Sequence, residues 1–247
     1  MNFLTDNNFA VRIPEAPSRY RANCGKDWGL FVTGDTKGMN TLKAEKAGLT
    51  KGNFVEMAIC WMGQRTLTFE PHYFNEEFSE IWGIPVSGEM KSQFSANASE
   101  LSTFLIHRQS KDKFSGLTEN CKRDGFSAWV EAGMQGDIDN LTSEKIAEFY
   151  FNNIFRFEFV VANSSTYGAY HYVGITTRPP ESDLEKSALI IAKQLYQAQL
   201  DGFNYCTDPR LVENEQKCLS GSTSTAPLSE AKQIQQEATK KRLATAK

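Results

Sequence analysis

The sequence has no long run of apolar residues. Its longest, around Ala58 to Met62, is far short of the roughly 20 residues that a helix needs to cross a bilayer. The opening residues, MNFLTDNNFAV, also lack the basic leader and continuous apolar stretch of a secretory signal. We therefore expect a soluble, cytoplasmic protein without a membrane partner.

Cysteine is scarce and scattered. The five cysteines are Cys24, Cys60, Cys121, Cys206 and Cys218. An odd number without any Cys-x-x-Cys pair predicts neither a disulfide framework nor a zinc finger. Free thiols in a reducing compartment are the simplest interpretation.

Signatures of catalysis are also missing. There is no Gly-x-Ser-x-Gly sequence, and the three histidines are far apart. The stretch VTGDTKG places Lys37 before the second glycine, whereas a P-loop needs Gly-Lys-Ser/Thr leading into a helix. A non-enzymatic protein without a cofactor is favoured, although an enzyme is not excluded.

Aromatic residues are abundant, at 12% of the chain. Phe155, Phe157 and Phe159 alternate with polar residues, and a polar turn leads to a second strand with Tyr170 and Tyr172, which predicts a β-hairpin. Ser182 and Glu185 form a capping-box pattern that starts a helix ending near Gly202. The fold class predicted is α+β: a mostly antiparallel, OB-like or barrel-like sheet with a C-terminal helix packed on it and a disordered tail.

The remaining segments give the domain organisation. Residues 1–206 are predicted to form one β-rich domain with a possible insertion at 89–140, and residues 207–247 a flexible linker and basic tail. Strands are predicted at 9–13 and 28–34, with a loop between them. A hairpin turning at Gly63-Gln64 is predicted next, then a short helix at 75–81. A further helix is predicted to be capped at Thr142 or Ser143.

Two similar pieces, WGLFVTG (28–34) and WGIPVSG (82–88), raise the question of an internal repeat. Their flanking sequences do not align, so two strands that end alike are favoured over a duplication. Pro85 removes a ladder donor and predicts a sheet edge or a turn for the second piece.

Charge is unevenly distributed. Residues 12–65 contain nine Lys/Arg and five Asp/Glu, whereas residues 66–100 contain one and six. In the basic part cations lie beside rings, a combination that binds single-stranded nucleic acid through phosphate neutralisation and base stacking. The candidate nucleic-acid-binding residues are Arg19, Tyr20, Arg21, Lys26, Trp28, Lys37, Trp61, Arg65 and Arg156. The leading hypothesis is a single-stranded nucleic-acid-binding protein of a phage, plasmid or defence system.

Two alternatives stay open. Complementary basic and acidic faces would suit a structural subunit that self-associates or binds a partner. Glu70, His72 and Glu76 could instead form the metal site of a hydrolase, since carboxylates and imidazole are divalent-metal ligands.

Overall fold

A computed structural model describes the structure over residues 18–24, 28–33, 40–49, 51–69, 73–89, 101–164, 168–201 and 209–220. These residues contain eight strands: β1 (Ser18–Cys24), β2 (Gly29–Thr33), β3 (Lys51–Gly52), β4 (Phe54–Phe69), β5 (Tyr73–Ser87), β6 (Ser102–His107), β7 (Ile154–Ser164) and β8 (Gly168–Arg178). They also contain five helices: α1 (Thr41–Lys46), α2 (Arg108–Glu131), α3 (Ile138–Asn152), α4 (Asp183–Leu200) and α5 (Pro209–Leu219). The predicted α+β class is confirmed.

The eight strands form one mixed sheet in the order β3-β2-β1-β6-β5-β4-β7-β8. Of the strand pairs in this sheet, β1 and β6 are parallel and the others antiparallel. The sheet curls, because the Phe31 ring of β2 lies 4.7 Å from the Phe159 ring of β7. It is therefore barrel-like. The OB-like alternative is not supported, because an OB-fold has five strands.

The concave face of the curled sheet contains the main aromatic core. Phe104 lies at its centre, with ring centroids 5.5 Å from Phe31 and 4.9 Å from Phe157. Burying such side chains contributes about 1.5–3 kcal/mol each. Leu117 of α2 and Phe149 of α3 pack against this core, so the two helices lie over the open side of the curl.

The convex face, called the outer face below, has separate apolar clusters under separate helices. α4 covers Ala58, Trp82 and neighbouring residues of β4 and β5. α1 covers Leu30 and Val32 of β2 through Ala44. The β7–β8 hairpin and the Ser182–Glu185 capping box of α4 form as predicted.

Several predicted elements are wrong. Residues 18–24 form β1 instead of a loop, and residues 75–81 belong to β5 instead of a helix. The chain does not turn at Gly63, which pairs with Glu80 inside the continuous strand β4. These elements depend on pairing with distant strands, which overrides local propensity.

Other boundaries also change. α3 is capped by Asp137, not by Thr142 or Ser143. Residues 101–140 contribute the internal strand β6 and the 24-residue helix α2. Pro209–Leu219 is a helix where a linker was predicted, and Leu211 is buried against Leu67 and Phe78. The strand predicted at 9–13 and the tail from 221 onward lie outside the described residues.

Within the described part of the chain, no helix is both long enough and apolar enough to span a bilayer.

Candidate nucleic-acid interface

Most of the predicted binding residues within the described ranges share one face of the sheet. Arg21 pairs with Val32, which lies under α1, so both side chains are on the outer face. Arg19 pairs with Thr103, and the same row continues through Trp82 to Trp61. Arg65 and Arg156 contact residues of this face as well. The sheet therefore brings together cations that are far apart in sequence.

Tyr20 does not belong to this surface. Its side chain is 1% exposed and points into the concave core, where its ring stacks with Phe104 at 6.4 Å. A base cannot reach it, and its predicted role is wrong. The alternation along β1 explains this, since residues 19 and 21 face outward and residue 20 faces inward.

Trp28 and Trp61 lie on the outer face, where both are partly buried in packing. The rings of Trp61 and Trp82 stack at 4.9 Å with an angle of 21°, beside the cluster under α4. Trp28 packs against Leu30 and Val32. Much of the surface of both rings is buried against other residues of the protein, so we assign both a structural role and not a role in base stacking.

Arg65 is held between two carboxylates. Its Nε lies 2.6 Å from Glu80 Oε2 and its Nη1 2.8 Å from Glu215 Oε2. Glu80 is only 2% exposed, so Arg65 supplies the positive charge that this buried carboxylate needs. An arginine committed to two carboxylates is a poor phosphate ligand.

Arg156 is committed in the same way. Its Nε lies 2.8 Å from Glu158 Oε2 and its Nη1 3.6 Å from Glu56 Oε1. Its guanidinium also lies 4.0 Å from the centre of the Phe54 ring. The two acids balance its charge, so it adds little positive potential to the surface.

Arg19 and Arg21 remain as candidates, and both are half-buried. They are two residues apart on one side of β1, about 7 Å along the strand. The guanidinium of Arg21 lies 6.0 Å from the centre of the Phe69 ring, close to the end of the β4–β5 hairpin. Lys26 and Lys37 lie outside the described residues.

Rings that the sequence does not predict lie beside Phe69, whose ring centre is 5.2 Å from that of Phe78. Tyr73 is 39% exposed, and its ring lies 4.9 Å from His107 and 5.8 Å from Phe78. We call Arg19, Arg21, Phe69, Tyr73 and His107 the arginine–aromatic cluster. The sequence signal for these rings is the alternation of polar and apolar residues in RTLTFE (65–70). Continued through residues 73–78, this alternation predicts a hairpin that brings Phe69 and Tyr73 together.

The electrostatics of the cluster are mixed. Burial, with smaller contributions from Cys24 and Glu76, raises the pKa of Tyr73, which is therefore a neutral phenol at physiological pH. His107 Nε2 lies 3.9 Å from Glu76 Oε2. The carboxylate of Glu76 reduces the positive potential that the arginines create.

The hydrolase alternative gains no support from this geometry. Glu70 and His72 lie outside the described residues, and Glu76 is on a strand instead of the helix that would align it with His72. Across the residues that the structure covers, no three His, Cys, Asp or Glu side chains are grouped to hold a metal ion.

Comparison of the chain with protein-family models, curated proteins and solved structures finds no match.

Proposed function

We propose that the protein binds single-stranded nucleic acid without catalysing a reaction, and that the arginine–aromatic cluster is the contact surface. The observation that supports this most directly is Arg21 above the Phe69 ring, where Phe69 pairs with Tyr73, whose ring is exposed, across the β4–β5 hairpin. Guanidinium groups bind phosphate and exposed rings stack on bases, so this arrangement offers both contacts of single-strand binding.

Charge sets the expected strength of binding. The chain is acidic overall, with a pI near 5.7, and the Glu76 carboxylate lies 3.9 Å from His107 of the cluster. Contact of each cluster arginine with one phosphate would give a salt slope of about −1.4 for a single strand. We expect modest affinity to which base stacking contributes as much as charge does.

The test is a fluorescence-anisotropy titration of a labelled single-stranded oligonucleotide at low salt. Arg19→Gln with Arg21→Gln should weaken binding and flatten the salt dependence. Tyr73→Leu keeps an apolar contact with Phe78 but removes the stacking surface, and should weaken binding about tenfold, in line with 1–3 kcal/mol for one stacked base.

The control is Lys193→Gln on α4, an exposed cation away from the cluster. It should bind like the unmodified protein. Two results would refute the proposal: no binding by the unmodified protein at low salt, or equal losses in the cluster variants and in Lys193→Gln.

A cytoplasmic location is part of this proposal. Its support is that Cys24, Cys60, Cys121 and Cys218 are all free thiols, as in proteins of reducing compartments. Trapping of free thiols in intact cells, followed by mass spectrometry, would test it.

A further inference from the structure

The β4–β5 hairpin contains a β-bulge close to its end. A single residue of β4, Thr68, lies there opposite two residues of β5, Phe74 and Asn75. Asn75 has a φ of +51°, in the left-handed region. The Thr68 hydroxyl fixes this conformation, because it accepts from Asn75 N at 3.0 Å and donates to Asn75 Oδ1 at 3.1 Å. Bulges redirect side chains and are frequent beside functional sites.

The bulge places Phe74 on the side of the hairpin opposite the arginine–aromatic cluster. Tyr73 and Glu76 both lie beside His107 on the outer face, with the Tyr73 ring 4.9 Å from the imidazole and Glu76 Oε2 3.9 Å from Nε2. The two bulge residues between them therefore face the other side. Phe74 is 49% exposed there, so its ring is accessible.

The surroundings of Phe74 are polar. Within the described ranges, the neighbouring side chains on this side of the hairpin end are those of Gln64, Thr66, Thr68, Asn75 and Glu77. An exposed ring among amide and hydroxyl groups suits a nucleobase, which stacks through its flat face and forms hydrogen bonds along its edges. An apolar protein surface would instead bury these polar groups without hydrogen bonds, which is costly.

We propose that Phe74 stacks on a second base, so that a bound single strand contacts both sides of the β4–β5 hairpin. The arginines and Tyr73 bind one part of the strand, and Phe74 binds a base further along it. The carboxylate of Glu77 repels phosphate, so we assign base contact alone to the Phe74 side. This inference rests on the proposed function and adds a second contact region to it.

The test is a fluorescence-anisotropy titration at low salt with oligothymidylates of about 4 to about 16 nucleotides, which covers the site sizes of known single-strand-binding domains. The unmodified protein should gain affinity once the strand is long enough to reach both rings. Phe74→Leu should lose that gain, about tenfold for one stacked base, and keep the affinity for the shortest strands. Its salt slope should not change, because no phosphate contact is removed.

Phe126→Leu is the matched control. It makes the same substitution at a phenylalanine of similar exposure, 53%, on helix α2. This variant should bind strands of every length like the unmodified protein. Tyr73→Leu, by contrast, should weaken binding at every length, because its ring belongs to the part of the surface that short strands already contact.

Two substitutions of Asn75 test the bulge itself. Glycine adopts a positive φ readily, so Asn75→Gly should keep the position of Phe74 and its contribution to binding. A β-branched residue does not adopt this conformation without strain, so Asn75→Val should lose affinity for long strands as Phe74→Leu does. Circular dichroism would show that both variants are folded.

The outcomes separate this inference from the proposed function. If Tyr73→Leu weakens binding while Phe74→Leu and Phe126→Leu bind equally well, the second contact is overturned and the proposed function stands. A loss in Phe74→Leu that is equal at every strand length would also overturn the second contact. If the unmodified protein binds no oligonucleotide at low salt, both are refuted.

Discussion

The side-chain amide of Asn214 bonds to both backbone groups of Thr68. Its Nδ2 donates to Thr68 O at 2.8 Å, and its Oδ1 accepts from Thr68 N at 2.9 Å. Glu215 Oε1 likewise accepts from Thr66 N at 3.3 Å. The ladder between β4 and β7 covers only Phe54–Met57, so helix α5 takes the place of a neighbouring strand along the far part of β4. It thereby protects an edge that could otherwise pair with another chain.

Replacing Asn214 by Leu should expose this edge. The variant leaves the N–H and C=O of Thr68 without their partner, and an unsatisfied backbone group costs about 1–3 kcal/mol. We expect a loss of about 2 kcal/mol in the free energy of unfolding measured in urea. The free energy of opening measured by hydrogen exchange at the Thr68 amide should fall by at least the same amount, because α5 can open locally without global unfolding.

Gln216→Leu is the matched control, since it makes the same chemical change on the exposed side of α5. It should leave both measurements nearly unchanged. Equal protection of the Thr68 amide from hydrogen exchange in the two variants would show that Asn214 does not protect the edge of β4.

The elements that the sequence predicts correctly are those with local signals. The β7–β8 hairpin follows from alternating phenylalanines and a polar turn, and α4 follows from a capping box whose two bonds, Glu185 N to Ser182 Oγ and Ser182 N to Glu185 Oε2, join residues three apart. Interactions this close in the chain are visible in a short window.

The elements and contacts that were missed are non-local. The sequence 75–81 contains three glutamates and suggests a helix, but its pairing with β4 and β6 makes it a strand. The partners of the candidate site residues are non-local as well. The Glu215 that neutralises Arg65 lies 150 residues away, and the Phe69 beneath Arg21 lies on another strand. Residue type predicts a cation beside a ring, but only the fold decides which carboxylate it meets.

The Trp-Gly pair shared by the two similar segments has a packing explanation. A Cβ at Gly29 would lie 2.4 Å from the ring of Phe159, and one at Gly83 would lie 2.7 Å from Ala58 O. In both segments another strand approaches too closely for any side chain. This accounts for the recurrence without a duplication. The predicted edge or turn position of the second segment is wrong, because β5 lies inside the sheet between β6 and β4 and Pro85 pairs with Met57. Among the described residues the ladder to β6 ends at Gly83, so it does not require an N–H from Pro85.

Gly29→Ala should therefore be destabilising. The added methyl group displaces Phe159, which is itself packed against Phe31, and overpacking of this kind costs about 1–3 kcal/mol. Urea unfolding would measure it. Gly63→Ala is the control, because a Cβ there has no neighbour within 4 Å, and its stability should change little.

A second substitution separates the clash from a general effect of alanine. Phe159→Leu makes room at Gly29, so Gly29→Ala should cost less in the Phe159→Leu background than in the unmodified chain. Additive effects of the two substitutions would contradict the close approach of β2 and β7.

The last prediction concerns acid stability at the start of α4. Arg178 joins two buried carboxylates, with Nη2 2.8 Å from Glu56 Oε2 and 2.6 Å from Glu185 Oε1. The bonds from Arg178, opposed by burial and helped by the N–H groups of Glu181 and Ser182, lower the pKa of Glu185 from 4.5 to about 2. The pKa of Glu56 is also lowered: burial opposes the shift, and bonds from Arg178 and Ser87 outweigh it. A carboxylate with a depressed pKa stabilises the fold fully above its unfolded-state value, and this contribution is lost as the pH falls from about 4.5 to about 2.

Glu185→Gln removes this titration. Because glutamine is neutral at every pH, the variant should be less stable than the unmodified protein near neutral pH, and the difference should shrink steadily below about pH 4.5. Urea unfolding at a series of pH values measures this difference. Asp183→Asn, an exposed acid in the same first turn, is the control and should keep most of the acid sensitivity. A difference in the free energy of unfolding between the unmodified protein and Glu185→Gln that stayed constant down to about pH 3 would contradict this prediction. Glu185 would then not be the group whose protonation weakens the attachment of α4 to the sheet.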